Sequence, residues 1–163
     1  MYKNSLAFIV VMILAFIVVI SCGKTSNSST SCTDVDPKAD SSALLKFASN
    51  NGITPVKDTT GLYYQILTQG SGVSPSDNSV IFVSYTGKRM DGTIFDSITN
   101  SAKTGWQLGT LIPGWRIGLP KIKSGGRIKL LIPSAYGYGC QGVASALDPN
   151  SPIYFDITLV SVQ

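Results

Sequence analysis

Histidine is missing from this 163-residue chain, and so is glutamate: all nine acidic residues are aspartates. Without histidine, a Ser-His-Asp or Cys-His arrangement and a histidine-containing metal site are excluded. Aspartate alone makes a thin supply of carboxylates. Asp91 and Asp96 could pose as an acid-base pair, but Asp91 precedes Gly92 and reads as a turn residue, which argues against glycoside hydrolysis. A glycine-rich phosphate loop of the P-loop or dinucleotide kind is also absent. Dense basic runs are lacking too. The formal charge is +4, and the most basic stretch, Lys121 to Lys129 ("KIKSGGRIK"), alternates basic with apolar or small residues. That pattern is the wet face of a turn and strand, not a nucleic-acid footprint. The expected chemistry therefore needs no nucleophile, metal or cofactor.

Long apolar runs are also scarce, with one exception. Leu6 to Ile20 is unbroken, and Lys3 is the only charge before it. It is shorter than the about 20 residues of a membrane-spanning helix and matches a secretory h-region. Ser21-Cys22 then resembles a bacterial lipobox, which would make residues 1–22 a signal peptide and Cys22 a lipidation site. The alternative is a short uncleaved anchor followed by a chance cysteine. Gly23, in place of aspartate, resembles outer-membrane sorting, with the domain facing the periplasm. Residues 23–38 read as a flexible tether, because "GKTSNSSTS" has too little apolar surface to offset its ordering entropy. The chain holds three cysteines. If Cys22 carries lipid, Cys32 and Cys140 remain as a possible disulfide pair in an oxidising compartment. A reactive-thiol reading is the alternative, and it lacks a neighbouring base.

What is present is mostly strand pattern. Residues 39–60 hold a short helix, Ser41 to Asn50, with Asp40 or Ser41 as N-cap, and a lead-in. Residues 61–163 form the main domain. Gly61 to Thr68 and Val80 to Tyr85 alternate, with Ile81, Val83 and Tyr85 on one face. Asp91-Gly92 is a hairpin turn leading to Thr93 to Asp96. Arg127 to Ile132 follows, and in Ile153 to Val162 the residues Ile153, Phe155, Ile157 and Leu159 share a face. Pro113 starts a short helix where proline is tolerated, and Pro120 limits it. The fold class is α+β: an antiparallel sheet of about five strands wrapped around one short central helix, with a short N-terminal helix.

Four stretches carry a resemblance. "VSYTGKRMDGTIFDS", "IPGWRIGL", "GGRIKLLIPSAYGYG" and "IYFDITLV" resemble, in order and spacing, the signatures of FKBP-type peptidyl-prolyl cis-trans isomerases, and the lead-in resembles that of their bacterial lipoprotein members. The resemblance implies a shallow apolar pocket for a proline ring. Its catalytic set would be Tyr85, Phe95, Asp96, Tyr138 and Phe155. Trp106, Leu111, Ile112, Trp115 and Leu147 would bind substrate, with Trp115 as floor, the Ile112 N–H free for the substrate chain and Leu147 hanging over the pocket. The implied activity is cofactor-free isomerisation of X–Pro bonds in exported proteins by a lipid-anchored monomer, and the family's macrolide inhibitors become possible ligands. A catalytically weak proline-binding or chaperone-like lipoprotein module is the alternative. The sequence departs from the family at Thr104, where a second aromatic is common, at the short Gly109 to Ile112 connection, at Asp148 to Pro152, and at Cys140 beside the Tyr138 loop.

Overall fold

The computed structural model describes residues 32–163, so the apolar run, Cys22 and residues 23–31 of the expected tether lie outside the described residues. The elements run α1 (Ser41–Asn50), β1 (Val56–Lys57), β2 (Tyr63–Thr68), β3 (Val80–Arg89), β4 (Ile94–Ile98), β5 (Trp106–Gln107), α2 (Pro113–Gly118), β6 (Gly126–Ile132) and β7 (Ile153–Val162). The strands pair antiparallel in the order β1-β2-β6-β7-β3-β4, and β5 pairs with the start of β3 on the same edge as β4, opposite β7. The expected sheet around a short helix is present, with seven strands where the sequence suggests about five. The two extra strands, β1 and β5, have two residues each, too few to show an alternation.

Alternation builds the core. In β3, Ile81, Val83 and Tyr85 are buried while their neighbours are half-exposed. Together with Ile128, Leu130 and Ile132 of β6 and Ile153, Phe155, Ile157 and Leu159 of β7, they form one inner face against α2. Two glycines one turn apart let α2 lie close to β6. A Cβ at Gly114 would come 2.6 Å from an Ile132 methyl, and one at Gly118 2.6 Å from a Leu130 methyl. The outer face is covered by α1, whose Leu44, Phe47 and Ala48 pack on Tyr63, Leu131 and Tyr154. The Phe47 and Tyr154 rings lie 5.0 Å apart. Both faces of β6 are therefore buried near its end, which explains the unbroken "LLI" run.

β3 is longer than the Val80 to Tyr85 read from sequence, because Gly87 interrupts the apolar alternation but not the ladder. The hairpin closes as expected: Asp91 Oδ1 accepts the Thr93 N–H at 2.8 Å, and Gly92 takes φ +90°. Two arrangements near the N-terminus go beyond what the sequence pattern shows. Asp40 occupies the N-cap of α1 but makes no capping bond; its buried carboxylate accepts the Ser134 N–H and Oγ–H instead, both at 2.7 Å. Residues 32–38, assigned with the flexible tether, are held down. Cys32 is disulfide-bonded to Cys140, Asp34 Oδ1 accepts the Cys140 N–H at 2.8 Å, and Asp36 caps the 3-10 turn Pro37–Asp40. Among the described residues, no helix is long and apolar enough to cross a membrane.

Candidate functional site

A concave site opens where β3, β4, β7 and the start of α2 converge. Tyr85, Asp96, Trp106, Thr110, Leu111, Ile112, Trp115, Tyr138 and Phe155 line a cavity of about 250 Å³ that is mainly apolar. The floor is a set of aromatic rings set edge to face. Trp115 meets Tyr85 at 5.1 Å between centroids and Phe155 at 5.2 Å, with interplanar angles of 83° and 90°. Such edge-to-face pairs add to the stabilisation from buried area. Trp115 and Phe155 are almost fully buried, and the Trp115 Nε1–H has no acceptor among the described residues.

Asp96 reaches the site because β4 carries a bulge. Gly87 pairs with Asp96 and Lys88 with Ile94, so Phe95 is the unpaired extra residue. Regular alternation would send Phe95 and Asp96 to opposite faces; the bulge re-aims the strand so that both serve one side. Phe95 packs edge-on to Phe155 at 5.6 Å and to Tyr138 at 6.5 Å. It supports the wall without lining the cavity itself. Asp96 Oδ2 accepts the Tyr85 O–H at 2.6 Å. Burial pushes the Tyr85 phenol far above its ordinary 10.0, and the Asp96 carboxylate adds to the shift through the hydrogen bond and its charge. Tyr138 is raised in the same direction, by burial first and then by Asp96. Both phenols therefore stay protonated donors across the neutral range.

The remaining rim comes from two connections. Ile112 is the N-cap of α2, and its N–H makes no hydrogen bond among the described residues. Tyr138 sits between two 3-10 turns, Ser134–Tyr136 and Gly139–Gln141, in the long β6–β7 connection.

Nine of the ten pocket residues named from the sequence thus come together, eight in the lining and Phe95 behind it. Leu147, expected over the pocket, does not line the cavity. It is buried in the same core cluster as Trp115 and Phe155 and bridges back to Val143. Thr104, where the resemblance implies a second aromatic, has a backbone role: its Oγ1 accepts the Val83 N–H at 3.0 Å, beside the β3–β7 register shift, and donates to Ser101 O at 2.6 Å.

Sequence reasoning missed two contributors. Thr110, in the Gly109 to Ile112 connection, lines the cavity. Gly87 leaves room for the wall: a Cβ there would lie 2.7 Å from the Phe155 ring and 2.9 Å from the Phe95 ring. A glycine inside a β-branched strand is the signal that could have found it.

Comparison with known proteins agrees with this geometry. The family described as "FKBP-type peptidyl-prolyl cis-trans isomerase" matches residues 72–160. The FKBP-type peptidyl-prolyl cis-trans isomerase FkpA of Escherichia coli K12 is 41% identical over 119 residues, 72% of this chain and 43% of that protein. Outer membrane protein MIP of Legionella longbeachae is 34% identical over 105 residues, 64% of this chain and 45% of that protein. The chain thus spans less than half the length of these curated relatives. Among solved structures, Escherichia coli FkpA superposes with a TM-score of 0.66 at 37% identity, covering 78% of this chain and 59% of the other. A peptidyl-prolyl cis-trans isomerase of Pseudomonas syringae gives 0.65 at 30% identity, covering 80% of this chain and 98% of the other. The aromatic cavity, the sheet order and these matches together establish that the chain belongs to the FKBP-type peptidyl-prolyl cis-trans isomerase family.

Proposed function

We propose that this protein catalyses cis-trans isomerisation of X–Pro peptide bonds in exported proteins, from a lipid anchor at Cys22. The observation that carries the reading is the mainly apolar cavity, floored by Trp115 and flanked by the protonated donors Tyr85 and Tyr138. An X–Pro amide isomerises in tens to hundreds of seconds because resonance makes a barrier of about 18–20 kcal/mol. At the twisted midpoint the amide loses conjugation and is less polarised than in either planar form. A dry aromatic cavity disfavours the polar planar states more than the midpoint, and this difference lowers the barrier without a covalent step.

The residues divide the task. Trp115, Phe155 and Tyr85 receive the pyrrolidine ring, with Phe95 holding Phe155 from behind. Tyr138 donates to a substrate carbonyl on one side of the twisting bond, and the Ile112 N–H donates on the other. Asp96 fixes the Tyr85 phenol through the 2.6 Å bond. Trp106, Leu111 and Thr110 shape the residue accepted before proline. Lipidation at Cys22 would supply the several acyl chains that stable membrane attachment needs. The name of the Legionella relative places that protein in an outer membrane, which supports an envelope location here.

The test is isomerisation of a Leu-Pro-Phe peptide by the purified full chain in detergent, beside Phe95→Ala. Acceleration that falls at least about tenfold in the variant is expected, since loss of a supporting wall displaces the reacting group. A folded parent that leaves the uncatalysed rate unchanged refutes the reading.

A further inference from the structure

The segment ahead of the family match makes contacts that the pocket alone does not require. Residues 32–40 precede the matched residues 72–160, yet they grip the connection that presents Tyr138 at both ends. Before Tyr138, Ser134 gives its N–H and its hydroxyl to the buried Asp40 carboxylate, both at 2.7 Å. After Tyr138, Cys140 is tied twice: by the disulfide to Cys32 and by its N–H to Asp34 Oδ1 at 2.8 Å. Asp34 also packs against Gly139, which sits at φ +55°. Between the two ties lie five residues, 135–139, with Tyr138 among them. Near Tyr138 the loop's other bonds are Gly142 N–H to Tyr138 O at 3.1 Å, Asn150 N–H to Gly139 O at 2.8 Å and Tyr136 O–H to Thr60 O at 2.9 Å. Cys32 is exposed and Cys140 half-exposed, so the bond is open to a small thiol.

We propose that residues 32–40 form a strap that positions Tyr138 for the reaction, with Asp34 and Asp40 as positioning residues, and that the Cys32–Cys140 bond makes the position sensitive to dithiol reductants. The proposal rests on the isomerase reading of the site. Reduction is a two-electron exchange. A dithiol gives two electrons and two protons, the Cys32–Cys140 bond breaks to two thiols, and the dithiol closes to its own disulfide. Asp40 still holds the Ser134 end afterwards, so the loop stays attached, and its Tyr138 end keeps Asp34, backbone bonds, the Tyr136 O–H bond to Thr60 O and the Phe95 ring but loses its covalent tie. The hydroxyl then samples positions away from the substrate carbonyl. Because Tyr138 acts on the twisted amide and the aromatic floor holds the proline ring, turnover falls while substrate affinity is kept.

The experiment compares the full chain before and after treatment with dithiothreitol, with Cys32→Ser as a reductant-free equivalent. It measures kcat and KM on a Leu-Pro-Phe peptide and amide hydrogen exchange at residues 137–142. Reduction is expected to lower kcat about five- to tenfold with KM within about twofold, and to speed exchange in the loop by more than in β3 or β7, where exchange follows only the loss of global stability. In a Tyr138→Phe background, reduction should change kcat no further, which a merely structural role would not produce. Asp34→Ala should deepen the loss in the reduced protein and Asp34→Asn, which keeps an acceptor, should restore it. Equal losses in the parent and in Tyr138→Phe, or unchanged kcat and unchanged loop exchange on reduction, overturn the strap. If the oxidised parent shows no isomerisation at all, the isomerase reading fails, and the loop exchange alone decides whether the strap holds the loop.

Discussion

The two halves of the site are held by different physics. One half, Tyr85, Trp115 and Phe155, projects from β3, α2 and β7, whose positions follow from alternation and from ladder hydrogen bonds. The other half, Tyr138, hangs in a connection between β6 and β7 and is placed by contacts from residues 34, 40 and 32, about a hundred positions earlier in the chain. A core-built wall resists local change because every ring is packed by others. A loop-built donor depends on a few specific ties, and losing one displaces it. Preorganisation of such a group is where a site of this kind is most easily degraded.

Substitutions can break or sharpen that contrast. The largest loss of stability is expected from Trp115→Ala, about 3–5 kcal/mol in denaturant unfolding, since it empties the middle of the aromatic floor. Cys32→Ser should cost about 2–4 kcal/mol of global stability, because the bond closes a separation of 108 residues in the unfolded chain. If its effect on unfolding were instead confined to the loop, the disulfide would be a purely local tie. Gly87→Ala should cost about 1–3 kcal/mol by forcing the Phe155 and Phe95 rings apart, and it should lower activity through the wall while leaving Tyr138 in place.

Tyr85→Phe removes a phenol-carboxylate bond and should cost about 1.5 kcal/mol at neutral pH. It also carries a pH signature. The folded Tyr85 phenol is raised above its ordinary 10.0, so its contribution is complete below that value. Above it, the unfolded chain ionises while the folded phenol stays neutral, and stability falls as pH rises between about 10 and 12. Denaturation midpoints across that range should fall less steeply in Tyr85→Phe than in the parent. The smallest effect is expected on the outer face, from Arg127→Ala. Its two bonds to Asp156, at 2.8 and 2.9 Å, are exposed at the arginine end, and about 0.5 kcal/mol should be lost.

The same contrast decides what could be read in the sequence. The wall was legible: Ile81-Val83-Tyr85 and Ile153-Phe155-Ile157-Leu159 state their inward face by period, and Pro113 marks the start of the helix that carries Trp115. The bulge at Phe95 was not, because two adjacent site residues in one strand look like a broken alternation until the register with Gly87 and Lys88 is known. Short strands such as Trp106–Gln107 have no period to read. The strap was the least legible part. Asp40 in front of a helix has every local feature of an N-cap, and only the long-range approach of Ser134 diverts its carboxylate. Leu147 was placed over the pocket by resemblance alone, and the burial of its side chain reflects the fold of this loop.

The central claim is that the aromatic cavity lowers the barrier to X–Pro rotation rather than only binding proline. Exchange NMR on a Leu-Pro-Phe peptide with a small fraction of the full chain tests it most directly. Uncatalysed interconversion takes tens of seconds or more, so cis and trans signals of the free peptide show no exchange on the NMR mixing timescale. Cross-peaks between them in the presence of the protein, lost with Phe95→Ala, are the predicted result. Peptide shifts that report binding, with no cis-trans cross-peaks, would contradict it and leave a proline-binding module.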